Sequence, residues 1–255
     1  MSGHSKWSTI KRQKGATDAR RGAAFTKATN AIIMAAREGG GNPEANFKLR
    51  LAIEAAKRIN MPKDNIEKAI ARATGAAKEG KALEGVTYEG FGPGGVGVLV
   101  EAVTDNRQRT AQEVRSAFER GGGNLSGAGS VAHLFSPIGE IVIRRDGGLD
   151  QDQLFLDAAD AGAEDIEIED DEVIVYCKTL ELEKVKEKLG KAGLEIIETR
   201  LSRKPTSVIK IVDEKQAFSI LSLVNKLDDL SDVQRVYANF DISNEVLMRN
   251  ANIGK

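Results

Sequence analysis

The sequence predicts a multi-domain protein of the α and α+β class: an N-terminal three-helix domain and two α/β lobes, one inserted in the other. Three observations predict this class. Apolar residues recur at helical spacing up to residue 75, alternation typical of strands takes over beyond residue 83, and segment 138–202 reads as β-α-β-β-α-β, the ferredoxin-like order. At 255 residues with 41% hydrophobic content, the chain is long enough to build two or three cores.

The predicted helical domain spans residues 1–75. Asn42 followed by Pro43 predicts the start of its second helix, Pro62 that of the third, and Gly75 ends the third. Each helix carries one apolar stripe, and small alanine-rich faces favour close packing as a bundle. The stripes are Phe25, Ala28, Ile32 and Ala35; Leu49, Ala52, Ile53, Ala56 and Ile59; and Ile66, Ala69, Ile70 and Ala73.

Residues 76–83 look like a linker, after which the chain predicts two lobes. Residues 82–136 and 204–242 each contain a strand–helix–strand unit, and we expect these halves to form one split ferredoxin-like domain, since about three strands are needed for an independently stable sheet. Its expected strands are 96–103, 131–135, 208–212 and 233–240. Residues 137–203 form the inserted ferredoxin-like domain, whose first helix is capped by Asp150 and closed by Gly162.

Charge is distributed very unevenly behind the overall net charge of -1. Residues 1–75 hold 15 Lys/Arg and 6 Asp/Glu, a net of +9, whereas residues 137–203 hold 9 and 18, a net of -9. This polarity predicts one end that seeks anions and one lobe that repels them. The acidic lobe either orients the molecule by repulsion from a polyanion or meets a basic protein, and the sequence does not choose between these roles.

The basic end predicts the nucleic-acid contacts. Residues 1–22 lack an apolar period and contain three glycines, which predicts an arm that orders on a polyanion. Trp7 either stacks on an exposed base or anchors the arm to its own helices. The candidate contacts in this region are Lys6, Trp7, Lys11, Arg12, Lys14, Arg20, Arg21 and Lys27.

Two motifs lie in the middle lobe. Residues 90–95, Gly-Phe-Gly-Pro-Gly-Gly, do not precede a helix and lack a following Gly-Lys-Ser/Thr, so a flexible hairpin tip is favoured over a phosphate loop. Residues 104–110 lie at a strand end and helix start, where free amides with Arg107 and Arg109 predict a second anion contact. The alternative is a helix capped by Asp105 with solvated arginines.

The sequence predicts no catalytic residues, metal site or cofactor. His4 and His133 have no evident nucleophile or carboxylate partner, and the single cysteine, Cys177, is expected in the core. The carboxylates of residues 164–172 lack EF-hand spacing and are expected on a solvated strand face. There is no apolar run long enough to span a membrane and no secretory signal, so the cytoplasm is the expected compartment.

Several stretches together resemble the YebC/PmpR family, in order from residue 3 to about 240. They are Gly3–Trp7, Phe25–Lys27, Gly39–Pro43, Met61–Ile66, Tyr88–Gly95, Thr104–Thr110, Gly122–Leu125, Ser130–Val131 and Leu134–Phe135. The resemblance implies a basic helical domain, two α/β lobes and no enzymatic activity or cofactor. It also implies either DNA-binding transcriptional regulation or, as in similar mitochondrial translational activators and bacterial members linked to ribosome stalls at proline-rich sequences, action on the ribosome.

From these observations we expect a non-enzymatic, cytoplasmic regulator of gene expression that binds nucleic acid. The preferred hypothesis is that the arm and bundle bind ribosomal RNA on the ribosome while the glycine-rich tip approaches a functional centre. The alternative is a transcriptional regulator that binds DNA with the same basic surface, and an enzyme is the third and most distant option. No membrane partner is expected, and a monomer is favoured without the oligomeric state being determined.

Overall fold

The computed structural model describes residues 18–75, 82–145, 150–169, 171–243 and 246, with side chains from Gly22 onward. The chain forms two compact units. One spans Phe135–Thr206, and the other is built from the segments before and after it. Mixed helices and antiparallel sheets, with a helical N-terminal region, confirm the predicted fold class. None of the helices in these described ranges is long and apolar enough to cross a membrane.

The helical region of the larger unit contains α1 (Asp18–Gly39), α2 (Phe47–Arg58) and α3 (Lys63–Thr74). Residues 18–22, which the sequence assigned to the arm, therefore belong to α1. The predicted stripes pack together around fully buried Ile32, Leu49 and Ala56. The bundle is thus held by the apolar spacing that the sequence predicted.

The N-cap of α2 is Asn46 and not Asn42, which was the predicted residue. The Asn46 side chain accepts a hydrogen bond from the Leu49 amide at 3.1 Å, and its Nδ2 donates to the carbonyls of Ala35 at 2.7 Å and Gly40 at 2.8 Å. Asn42 instead accepts from the Glu44 amide in the preceding turn. The buried amide of Asn46 therefore caps one helix and also binds the end of another, which local sequence cannot show.

The α/β part of the larger unit begins with a hairpin of β1 (Glu84–Phe91) and β2 (Gly97–Thr104), followed by α4 (Arg107–Arg120) and β3 (Asn124–Ser126). The chain returns after the other unit with β8 (Ile209–Ile211), α7 (Glu214–Asp228), β9 (Val233–Ala238) and β10 (Phe240–Ile242). An antiparallel sheet has the order β3-β1-β2-β9. Its core includes fully buried Val98, Phe118 and Ile220, so α4 and α7 share one apolar layer with the sheet.

Two strands expected in this sheet are placed differently. Residues 131–134 are not a strand: Ala132–Leu134 is a 3-10 helix, Phe135 begins a strand of the other unit, and β3 is the strand that follows α4. The strand expected at 208–212 is shortened to β8, which pairs in parallel with β10 in a separate two-stranded sheet. The strands beside β2 are β1 and β9, and a tight hairpin brings β1 to β2 at little cost in loop-closure entropy.

The smaller unit contains β4 (Phe135–Arg144), α5 (Gln151–Ala161), β5 (Asp165–Ile168), β6 (Glu172–Cys177), α6 (Leu182–Lys191) and β7 (Ile196–Pro205). Its antiparallel sheet has the order β5-β6-β4-β7, the ferredoxin-like arrangement. Asp150 caps α5 by accepting from the Asp152 amide, and Gly162 ends it with φ 107°, both as predicted. Fully buried Ile141, Leu154 and Leu182 belong to its interior.

Candidate nucleic-acid interface

The predicted contacts fall into three groups in the structure. Lys6, Trp7, Lys11, Arg12 and Lys14 lie outside the described residues. Arg20 and Arg21 lie near the start of α1, where the backbone but not the side chains is described. The side chains that can be placed are those of Lys27, Arg107 and Arg109.

Lys27 on α1 reaches the last residue of α7. Its ammonium group donates a hydrogen bond to the Asp228 carbonyl and lies 3.6 Å from Asp228 Oδ1. A cation at the carboxyl end of a helix is favourable because the last carbonyls carry partial negative charge. The side chain of Lys27 is only 20% exposed. Lys27 therefore joins the helical bundle to the α/β part of the same unit.

The motif at residues 104–110 starts α4, but the predicted capping residue is wrong. Asn106, and not Asp105, is the N-cap, and its side chain accepts from the Arg109 amide at 3.2 Å. The Thr104 hydroxyl accepts from the Asn106 amide at 2.9 Å. Asp105 lies beside the Arg109 guanidinium, 3.1 Å away. These bonds set the geometry of the first turn of α4 and place both arginines on it.

Asp232 is the acid around which this turn is organised. It is 7% exposed and accepts from Arg109 Nη2 at 2.6 Å, from the Thr110 hydroxyl at 2.6 Å and from the Thr104 hydroxyl at 3.0 Å. Burial pushes the pKa of Asp232 up, but the hydrogen bonds from Arg109, Thr110 and Thr104 outweigh it, so the pKa is lowered. Arg109 thus binds an internal carboxylate, and sequence reasoning missed Asp232 because it lies 123 residues away.

Arg107 is the other arginine of the turn, and it is exposed. Its backbone carbonyl accepts a hydrogen bond from the Tyr88 hydroxyl at 3.3 Å, which attaches the first turn of α4 to β1. The fold therefore holds the backbone of Arg107 while its side chain faces solvent.

The glycine-rich tip connects β1 and β2, which confirms the predicted hairpin, and it is a turn packed against α7. Pro93–Gly95 forms a 3-10 turn, closed by the Gly92 amide donating to the Val96 carbonyl at 2.8 Å. Gly94 has φ 76°, and a Cβ there would lie 2.8 Å from Gln216 on α7. A Cβ on Gly92 would lie 2.5 Å from Ile220. The glycines are therefore required by backbone angle and by close packing against α7.

Glu89 on β1 holds a second loop of this lobe, and no sequence motif signals it. Its buried carboxylate accepts hydrogen bonds from the amides of Gly129, Val131 and Ala132 at 2.7, 2.7 and 2.8 Å. Burial raises the pKa of Glu89, but these amides more than offset that effect and lower it. The bonds explain why residues 131–134 do not form a strand: the amides of Val131 and Ala132 turn toward Glu89 instead of a neighbouring strand.

The bundle contributes exposed cations of its own. Lys57 and Arg58 end α2, and Lys63 begins α3 a few residues later, so three exposed cations flank the connection between these helices. Lys68 and Arg72 are exposed further along α3. By contrast, Arg50 donates to the carbonyls of Pro43 and Glu44, both at 2.7 Å, and is part of the fold.

Comparison with known proteins identifies the family. Residues 5–76 match the family model described as the TACO1/YebC protein N-terminal domain, and residues 83–240 match the TACO1/YebC second and third domain. The chain belongs to the TACO1/YebC family. This confirms the resemblance stated from the sequence motifs.

Curated relatives of this TACO1/YebC protein match along its whole length. Those of Dictyoglomus turgidum and Herpetosiphon aurantiacus are 49% and 48% identical over 97% and 100% of this chain, and 98% and 100% of their own. That of Trichlorobacter lovleyi is 50% identical over 95% of this chain and 97% of its own. Each is named "Probable transcriptional regulatory protein". The family assignment thus supports a regulator of gene expression.

A solved structure is also similar to this TACO1/YebC protein. It is the crystal structure of a conserved hypothetical protein from Aquifex aeolicus, 45% identical, with a TM-score of 0.83. The match covers 90% of this chain and 94% of that one. The overall fold is therefore shared with an experimentally solved relative.

Other candidate groups in this TACO1/YebC protein have structural surroundings. Cys177 is fully buried, and desolvation raises its thiol pKa to about 11. His133 lies in the 3-10 helix at residues 132–134 and not in the predicted strand. Within the described ranges, no group of three or more His, Cys, Asp or Glu is placed to hold a metal ion.

The acids of residues 164–172 are partly buried, contrary to the expectation of a solvated strand face. Glu167, Glu169 and Glu172 are 8%, 4% and 8% exposed. The Tyr176 hydroxyl donates to Glu167 at 3.1 Å, and Lys204 lies 3.8 Å from the same carboxylate. Alternation along a strand shows that the strand has two faces, but it does not show which face is covered. Here Tyr176 on β6 and Lys204 on β7 contact the buried carboxylate of Glu167.

Proposed function

We propose that this protein is a non-enzymatic nucleic-acid-binding regulator that acts in the cytoplasm, where it binds RNA on the ribosome and supports elongation through proline-rich sequences. The observation that carries the proposal is the concentration of positive charge in residues 1–75, with 15 Lys/Arg against 6 Asp/Glu. Nucleic-acid affinity comes largely from cations that displace the counterions of phosphates. The ribosomal target rests on the family resemblance.

In this proposal the cations divide into contacts and supports. Lys6, Lys11, Arg12, Lys14, Arg20 and Arg21 bind phosphates, and Trp7 stacks on an exposed base. Lys57, Arg58 and Lys63 extend the same basic surface along the bundle, where they are exposed. Arg107 provides a second contact on the α/β part, while Arg109 acts by holding the turn that presents it. The proposed domains are 1–75, 82–136 with 204–242, and 137–203.

A DNA-binding transcriptional regulator is the second candidate, and the names of the curated relatives favour it. The same basic surface would bind either nucleic acid, because phosphate contacts position a protein without reading sequence. Sedimentation of lysate separates the two candidates. Co-migration with ribosomes at low salt is expected under the RNA proposal. The DNA alternative is supported by protein that sediments free of ribosomes and leaves a footprint on promoter duplex, with ribosomal RNA as a poor competitor.

Binding to a 20-nucleotide single-stranded RNA tests the role of charge. Raising salt from 50 to 200 mM should weaken binding by about 100-fold if about five phosphates are neutralised. Replacing Lys11, Arg12 and Lys14 by alanine should reduce affinity for all sequences alike and lower the salt slope by about two.

The matched control removes three exposed cations elsewhere, at Lys178, Lys184 and Lys210. This control should bind as the unchanged protein does. An equal loss in both triple variants, or a flat salt response, would refute the assignment of binding to the N-terminal cations.

A further inference from the structure

An acidic turn holds two of the cations that sequence reasoning assigned to nucleic acid. The turn is residues 228–232, Asp-Asp-Leu-Ser-Asp, which connects α7 to β9. Lys27 from α1 binds its first residue, Asp228, and Arg109 from α4 binds its last, Asp232. The turn therefore supplies these cations with carboxylate and carbonyl oxygens, the same kind of acceptor that a phosphate offers.

The two contacts differ in how firmly they are held. Asp232 is 7% exposed and accepts from three donors, so replacing it would remove the acceptor of the buried Thr104 hydroxyl and the ion-pair partner of Arg109. Asp228 is 31% exposed on its side chain, and its carboxylate lies 3.6 Å from the Lys27 ammonium. Partly exposed pairs of this length are weak and are screened by salt. Of the two cations, Lys27 is the one that can exchange its partner.

Lys27 is also placed where a bound polyanion would reach it. It lies seven residues after Arg20 on α1, which is two helical turns, so the two positions share one face of the helix. A nucleic acid that follows α1 from the proposed contact at Arg20 arrives at Lys27. Its phosphates offer Lys27 a full charge and hydrogen-bonding oxygens, which is the chemistry that the carboxylate and the carbonyl of Asp228 provide.

We propose that Asp228 and the end of α7 form an internal competitor for nucleic acid at Lys27, an autoinhibitory contact that a phosphate replaces on binding. The inference rests on the proposed function, since it names a step in the binding of the same polyanion. Lys27 also joins α1 to the α/β part, so exchange of its partner loosens that attachment. Binding and attachment are then coupled, and each affects the other by the same factor.

Asp228→Asn in the full-length protein tests the competitor, with Asp229→Asn as its matched control. Asparagine keeps the size and the backbone carbonyl but removes the charge, and Asp229 is the exposed neighbour with the same charge. Binding to a 20-nucleotide poly(U) RNA at low salt should tighten about 2- to 5-fold for Asp228→Asn, and by clearly less for Asp229→Asn. Equal effects of the two substitutions would overturn the proposal.

Hydrogen exchange on the unchanged protein provides a second readout that needs no variant. Saturating poly(U) should increase amide exchange in the last turn of α7, because the Lys27 contact is replaced. Unchanged or slower exchange there would refute the competitor while RNA binding itself stands. If the unchanged protein binds neither RNA nor DNA in a salt-dependent way, the proposed function and the competitor both fail, and that result is distinct from the preceding ones.

Discussion

Replacing Glu89 with glutamine should loosen the loop at residues 129–132. The carboxylate is 6% exposed and accepts from the Gly129 amide on Oε1 and from those of Val131 and Ala132 on Oε2. Glutamine retains one oxygen, which can still accept the pair from Val131 and Ala132. Its amino group then faces the Gly129 amide, so one bond is lost and two donors oppose each other.

The expected cost follows from these bonds. A hydrogen bond to a charged group contributes about 1.5–3 kcal/mol, and a buried donor without an acceptor costs about 1–3 kcal/mol. We therefore expect a loss of about 3 kcal/mol in the free energy of opening this loop. Since about 1.4 kcal/mol corresponds to a factor of ten, protection of these three amides should fall roughly 100-fold.

Hydrogen exchange measured for residues 129–132 checks this prediction, with Glu84→Gln as the control. Glu84 lies on the same strand but is exposed, so its substitution should leave protection nearly unchanged. The pKa of Glu89 is lowered in the folded protein. Its contribution to the stability of this loop is therefore complete above its unfolded pKa of about 4.3, and it is lost as pH falls through the folded pKa. A difference between the unchanged protein and the Glu89→Gln variant that persists undiminished well below that folded pKa would refute the electrostatic reasoning.

Two further predictions concern packing. Gly90→Ala should destabilise the larger unit by about 2–3 kcal/mol in urea unfolding, because its Cβ would lie 2.5 Å from the Asn124 carbonyl oxygen and 2.7 Å from Phe118. The control is Gly127→Ala, whose Cβ would have nothing within 4 Å. This control should be nearly neutral in the same assay. Cys177 should react with a thiol reagent at pH 8 at least about 100-fold more slowly in the folded than in the unfolded protein. The reason is that burial raises the pKa of its thiol to about 11, and the thiolate is the reactive form. Equal rates would contradict the place of Cys177 in the core.

Local periodicity was sufficient to predict the elements that bury one face. The stripes beginning at Phe25, Leu49 and Ile66 became the core of the bundle, and the order of elements in residues 138–202 became a complete ferredoxin-like sheet. The three helices of the bundle pack on one another, and in the smaller unit the first strand, β4, pairs with β6 and with the last strand, β7. Hydrophobic spacing therefore contained nearly all the information that the fold needed.

Prediction failed where a position is set by a partner far along the chain. Residues 131–135 have the composition of a strand, but the amides of Val131 and Ala132 bind Glu89, more than 40 residues earlier. The segment at 208–212 was expected in the same sheet as β2, but its strand β8 pairs with β10 in a separate two-stranded sheet. Composition indicates which secondary structures a segment can adopt. The structure that it does adopt depends on competition among all segments for the same hydrogen-bonding partners.

The motif at residues 104–110 shows how this limit applies to function. Free amides and two arginines at a helix start predicted an anion contact, and in the structure Arg109, with Thr104 and Thr110, binds an internal anion, the Asp232 carboxylate. A carboxylate and a phosphate accept hydrogen bonds from the same donors, so the sequence could not show whether the partner is an internal acid or a nucleic acid. Burial separates the two cases. Arg109 is committed to an acid that water barely reaches, while exposed Arg107, on the same turn, is free of that commitment and is the arginine to test for nucleic-acid contact.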